Sequence, residues 1–261
     1  MDIQALNRKQ LRKKLEIFNL KSLKVDKVIQ PFMTDNLHGK YWIELYQVGK
    51  FISLLDAPSK IAERRESPDF IISYNDEWIG LEHESVKDEK IASNFQSTSA
   101  LFDDAAMVFS EKHPGIHILA NIELNVDRLE YRKHEKSALI DIIVDYVYKY
   151  LSDNEALKPD FIYDMNVMDH SMVSFNYNPG VHNINQLNGD RLLAAIHKKE
   201  NKITKYQQNT NIQKQWLLLT IGTYYPDSFE YMDTTSPIEV ISDFDRIYLM
   251  EDLHGKLWRI K

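Results

Sequence analysis

Glu66-Ser67-Pro68-Asp69-Phe70-Ile71-Ile72-Ser73-Tyr74, then Asn75-Asp76, then Glu77-Trp78-Ile79-Gly80-Leu81-Glu82-His83-Glu84-Ser85-Val86 is the stretch whose reading decides the fold. Two β-type runs, Asp69 to Tyr74 and Glu77 to Val86, flank a turn-favouring Asn-Asp pair, which predicts an antiparallel hairpin. Side chains alternate along a strand, so Glu82 and Glu84 emerge on one face while Ile79, Leu81 and His83 take the other. Hairpin pairing then sets Asp69, at the start of the first strand, opposite the far end of the second. Three carboxylates gathered at a strand end make a hard-cation site suited to Mg²⁺, with Mn²⁺ able to stand in.

Outward from the hairpin, helical and strand patterns succeed one another. Trp42, Leu45, Tyr46, Val48, Ile52 and Leu55 recur at close to helical spacing, predicting a helix from Tyr41 to Leu55 that stops at Asp56-Ala57-Pro58. After the hairpin come a helix over Phe95 to Lys112, a strand over Ile116 to Leu124 and an amphipathic helix over Lys136 to Leu151. Strands over Phe161 to Val167 and Met172 to Asn176 and a long loop lead to a helix over Asp190 to Gln208. Trp216 to Gly222 opens with six residues that look buried on both faces, the mark of a central strand. Phe244 to Met250 and Leu257 to Ile260 read as a further strand and a small edge element. The N-terminal segment, with Leu6, Leu11, Leu15 and Phe18 among charges, reads as an amphipathic helical arm over residues 1–36, leaving one α/β domain over 37–261.

Composition removes several classes of function. The chain has 261 residues, 43% of them hydrophobic, enough for a sizeable core. It has no cysteine, so disulfides, thiolate metal sites and cysteine nucleophiles are all absent. No apolar run approaches the roughly 18 to 20 residues of a membrane span, and the first residues lack a signal-peptide core, so a soluble cytoplasmic protein with no membrane partner is expected. A formal net charge of −7 argues against a chain that coats nucleic acid, without excluding a local basic groove. There is no Gly-x-Ser-x-Gly elbow, no phosphate-binding glycine loop and no dinucleotide fingerprint.

The order Pro68-Asp69, a short loop and a strand carrying Glu82-His83-Glu84 resembles the core motif of the PD-(D/E)XK nuclease superfamily, in particular small bacterial and phage-type members with a Glu-x-Pro-Asp-Phe start and a Gly-x-Glu strand. The resemblance implies a restriction-endonuclease-like fold, a central mixed sheet flanked by helices. It implies Asp69 and Glu82 as principal metal ligands, with Glu44, on the helix before the hairpin, and Glu84 in support. It also implies a Mg²⁺-dependent nuclease acting on nucleic acid, DNA being the expected substrate, with a homodimer as a candidate assembly. Such chemistry needs a metal to activate water, align the scissile phosphate and stabilise the leaving oxygen.

The departure is Glu84, which stands where many members carry lysine. Some members supply the lysine from a later helix. Projecting Asp190 to Gln208 at about 100° per residue puts Lys199 among Leu192, Leu193, Ile196, Ile203 and Tyr206. A lysine directed toward a core is costly unless paired with acids, so Lys199 is the candidate to orient the water or stabilise the phosphate.

Plainer readings stand beside these. Asp69 fits a turn, Glu82 and Glu84 an exposed edge, His83 a hydrogen-bonded core histidine, and Lys199 a side chain snorkelling to water. Lys158-Pro159-Asp160-Phe161 repeats the first half of the motif with no acidic strand after it. The alternative function is a decayed nuclease fold that serves as a binding or assembly module.

Overall fold

The computed structural model describes residues 22–33, 39–125, 129–154, 156–178, 185–223, 227–229, 231–232 and 239–261. The arm helix expected over residues 4 to 18 lies outside the described residues. The described chain forms two compact units, one holding the residues up to Lys87 and from Asn185 onward, the other those from Asp88 to Asn178 together with Asp227.

After a helical segment over residues 22–29, helix α1 spans Lys40–Leu54 and is followed by strands β1 (Ser59–Arg64), β2 (Phe70–Tyr74) and β3 (Glu77–Ser85). The second unit contains α2 (Glu89–Lys112), β4 (Ile118–Leu124), α3 (Lys136–Ser152), β5 (Ile162–Asp169) and β6 (Ser174–Asn178). The chain then gives β7 (Gln186–Leu187), α4 (Gly189–Glu200), α5 (Ile203–Thr210), β8 (Gln215–Ile221), β9 (Tyr231–Met232), β10 (Arg246–Glu251) and β11 (Lys256–Arg259).

The first unit is built on a six-stranded mixed sheet of order β1-β2-β3-β8-β10-β11. The hairpin forms as its sequence predicts: β2 and β3 are antiparallel, and Asn75 and Asp76 both take the positive φ that a tight primed turn requires. β3, β8 and β10 run parallel. β8 is buried along its whole length, as a strand covered on both faces must be.

Alternation divides the core in two. Trp216 and Leu218 of β8, with Phe70, Ile72, Ile79, Leu81, Tyr248 and Met250, face one layer containing Leu45, Val48, Phe51 and Ile52 of α1. Val25 and Ile29 of the preceding helical segment join that layer. Leu217, Leu219 and Ile221, with Ile247 and Leu249, face the opposite layer, formed by Leu192 and Ile196 of α4 and Ile203 and Tyr206 of α5. By the same period of two, Glu82 and Glu84 fall on the α4 side, and His83 falls on the α1 side.

Three readings are revised. β1 is an additional strand, paired antiparallel with β2, whose only fully buried residue is Ile61; an edge strand this exposed leaves little apolar alternation to read. The helix expected over 190 to 208 is two helices, separated at Asn201 and Lys202. Asparagine competes with the backbone for hydrogen bonds and favours helix ends over interiors. The helix expected from Phe95 begins at Glu89, because the Asp88 carboxylate accepts from the amides of Lys90 and Ile91 and caps it.

The second unit has its own sheet, of order β5-β4-β6, and its own core, in which Phe102 and Phe109 of α2 and Val144 and Val147 of α3 are buried with Ala120, Ile122 and Phe175. The Asp160-Phe161 echo of the motif sits just before β5. Among the described residues no helix is long and apolar enough to cross a membrane.

Candidate functional site

The hairpin register Phe70 opposite Leu81 brings Asp69, one residue before β2, alongside Glu82. The Asp69 amide donates to Glu82 Oε2 at 3.3 Å, and the His83 amide donates to Asp69 Oδ2 at 2.8 Å. Glu82 is 4% exposed and has α4 above it. From α4, Lys199, itself only 8% exposed, sets its Nζ 2.7 Å from Glu82 Oε1 and 3.0 Å from Glu84 Oε2. Lys198, on the exposed side, sets its Nζ 2.7 Å from Glu84 Oε1. The structure thus joins Asp69, Glu82, Glu84 and Lys199, and the cation that relieves repulsion between the two glutamates is a lysine.

The charges follow from this geometry. Burial is the largest influence on Asp69, and with the neighbouring negative charge of Glu82 it pushes the carboxyl up to about 7, against the opposing His83 amide. Burial also works to raise Glu84, but Lys198 and Lys199 outweigh it and hold that carboxyl below the usual range. For Lys199 burial opposes the charge, yet Glu82 and Glu84 prevail and the ammonium is held above its ordinary value. Tyr206 of α5 is 1% exposed and its hydroxyl makes no well-formed hydrogen bond. Burial, followed by the negative charge of Glu82, pushes its ionisation up.

On the α1 side of the sheet the His83 ring is buried between two partners. Its Nδ1 lies 3.5 Å from Glu44 Oε1, and its Nε2 lies 3.2 Å from Thr220 Oγ1. Burial works to raise Glu44, and the hydrogen bond and charge of His83, aided by Arg64 and Lys40, hold it below its usual value. The core-histidine reading of His83 is therefore correct, and Glu44 is found on the predicted helix, turned toward that ring.

Asp69 and Glu82 supply hard oxygen donors side by side, and Mg²⁺ is commonly held by one or two carboxylates while it keeps several waters. The donor chemistry fits such an ion. Glu44 and Glu84 are drawn to His83 and to the lysines, and among the described residues no group of three or more potential ligands stands close enough to hold a metal.

No family model, no curated protein and no solved structure matches this chain. The reading of the site therefore rests on its own geometry.

Sequence reasoning did not find Lys198 as the partner of Glu84, nor Tyr206 as the hydroxyl facing the acids. Both follow from helix position. Residue 198 precedes the core-directed lysine and so sits at the rim of the same face, and residue 206 is an apolar-face tyrosine whose hydroxyl needs a polar neighbour. Thr220 could be singled out only by its place as the one hydroxyl within the otherwise apolar run Trp216 to Ile221.

Proposed function

We propose that this chain is a Mg²⁺-dependent nuclease of the PD-(D/E)XK kind, with DNA as substrate. The observation that carries the reading is the buried Lys199 ammonium, 2.7 Å from Glu82 at the strand end where Asp69 also arrives. Withdrawing a lysine and two carboxylates from water is expensive, and a larger hydrophobic contact would stabilise the fold more simply. Such a cluster fits a task that needs a cation and a fixed ammonium together.

In this reading Asp69 and Glu82 would hold the metal, which would supply activation of water and stabilisation of the leaving oxygen. Lys199, held as an ammonium, acts by charge and hydrogen bonding: it orients the attacking water and offsets negative charge on the phosphate. Glu84 keeps Lys199 in place through Oε2 and is itself held by Lys198 through Oε1. Glu44 is a supporting carboxylate approached from the other side of the sheet. Lys198 is 58% exposed and available to the phosphate backbone.

A second reading has its own support. The two glutamates are already neutralised by Lys198 and Lys199, which suits a binding or assembly module that has kept the fold without the chemistry. Calorimetric titration of Mg²⁺ and Mn²⁺ into wild type, Asp69→Ala and Glu82→Ala, followed by incubation with plasmid and single-stranded DNA, separates the two. The nuclease reading expects binding and cleavage in the wild type and loss of both in folded variants. A wild type that neither binds metal nor cuts, with nucleic acid present, leaves the binding module.

A further inference from the structure

One flank of the α4–α5 stretch carries positive charge that the fold does not use. Lys198, Lys202 and Lys205 stand at i, i+4 and i+7, and Asn209 follows four residues on. Backbone dihedrals stay right-handed helical through Asn201 and Lys202, so one projection serves both helices. At about 100° per residue the four side chains fall within roughly 60° of one another, about 110° around from the buried Leu192, Ile196, Lys199, Ile203 and Tyr206.

Both ends of this flank are tied to the site. At one end Lys198 Nζ lies 2.7 Å from Glu84 Oε1, at the end of β3. At the other, Asn209 Nδ2 donates to the Ser67 carbonyl at 3.1 Å, and Arg65 Nη2 donates to the Asn209 carbonyl at 3.2 Å. Ser67 lies two residues before Asp69, in the loop that delivers it. Lys202 and Lys205, between these anchors, therefore border the carboxylates. The other flank turns away, since Glu200 accepts from the Asp243 amide at 2.6 Å, near the start of β10.

Charge follows the same layout. Glu82 and Glu84 are already balanced by Lys199 and Lys198. Lys202 and Lys205 are exposed, and among the described residues neither is paired with an acid. In a chain of formal charge −7 they form a local basic strip beside the acidic centre. At a rise of 1.5 Å per residue, Lys198 to Lys205 spans about 10 Å, the advance of about three phosphates along one strand of a duplex.

We propose that the Lys198, Lys202 and Lys205 flank is a track for the phosphate backbone of duplex DNA, which holds one strand across the mouth of the Asp69 and Glu82 site. The identity of the partner rests on the nuclease reading above; the track rests on placement and charge. Phosphate contacts position a duplex without reading its sequence, so this surface would be indifferent to base order.

The test is the affinity of the full chain for a labelled duplex, measured by fluorescence anisotropy in metal-free buffer over a range of salt concentrations. Lys202→Gln/Lys205→Gln is expected to keep the wild-type melting temperature. It should flatten the slope of log affinity against log salt by about 2 and weaken binding about fiftyfold at about 0.1 M salt, at about 0.9 per phosphate lost. Duplexes of unrelated sequence should lose equally, and Lys202→Arg/Lys205→Arg should bind as the wild type does. Lys24→Gln/Lys27→Gln removes the same charge from the helical segment on the α1 side of the sheet and is expected to change the slope little. Unchanged binding in Lys202→Gln/Lys205→Gln, or an equal loss in Lys24→Gln/Lys27→Gln, overturns the track, while the nuclease reading stands on metal binding and cleavage. A wild type that binds through these lysines and does not cut upholds the track and overturns the nuclease reading. A wild type with no affinity for the duplex overturns both.

Discussion

Glu82 and Lys199 are both withdrawn from water, so each depends on the other for its charge. Removing the lysine alone strands a buried carboxylate, and Lys199→Met is expected to destabilise the protein by about 3 kcal/mol in urea denaturation. Lys199→Met combined with Glu82→Leu is expected to recover much of that loss; a double variant no more stable than the single one would show that the pair is not what the fold depends on. Asp69 gives a pH dependence of opposite character. Its carboxyl is raised, from an ordinary 3.8 to about 7, so between those values the folded state holds a proton that the unfolded chain has released. Its contribution to stability is complete below about pH 4 and is lost as pH rises through about 7, a change on the order of 4 kcal/mol at one pKa unit per 1.36 kcal/mol. Asp69→Asn keeps an oxygen for the His83 amide without the charge. It should match the wild type near pH 4 and exceed it in urea midpoint above pH 7 in metal-free buffer; identical profiles would refute the assignment. At this scale the sequence is informative where one residue obeys a period. Asp69, Glu82, Glu84 and Lys199 were legible because strand alternation and helix projection aim them at one place. The tie from His83 to Thr220 was not, because it depends on the register between strands 137 positions apart.

At the scale of elements, α1 is held against the helical segment before it by a close approach that only glycine permits. A Cβ on Gly49 would lie 2.3 Å from Cγ2 of the buried Ile29. In an exposed helix glycine to alanine stabilises by up to about 1 kcal/mol, whereas here overpacking should reverse the sign. Gly49→Ala is expected to lower the melting temperature, and a rise would mean that the segment over 22–29 does not pack on α1 in solution. The hairpin, α1 and β8 were readable in advance, since each carries a complete signal: a turn pair, a 3.6-residue period, an unbroken apolar run. β1 and the division between α4 and α5 were not, because one buried isoleucine does not make a pattern and Asn201 is a weak break inside an otherwise continuous amphipathic stretch.

At the scale of the molecule, the mixed sheet with helices on both faces was legible from the order of its elements, and the division into two compact units was not. Val86-Lys87-Asp88 carries no glycine or proline to announce a boundary, and Asp88 at once caps a helix. The parallel pairing at the centre of the sheet has one more consequence, for how the chain reaches its native state. Ser85 of β3 meets Thr220 of β8 across 135 positions of sequence, so the β1-β2-β3 meander can form early while its inner edge waits for a distant partner. Pairings of such high contact order form slowly, and a bare apolar strand edge in the interval invites another chain to add to it. Inward-pointing charge is one device that discourages such intermolecular pairing. On β3 that charge is Glu82 and Glu84, so until Lys199 arrives to neutralise them, the carboxylates of the proposed active centre also serve as guards against aggregation.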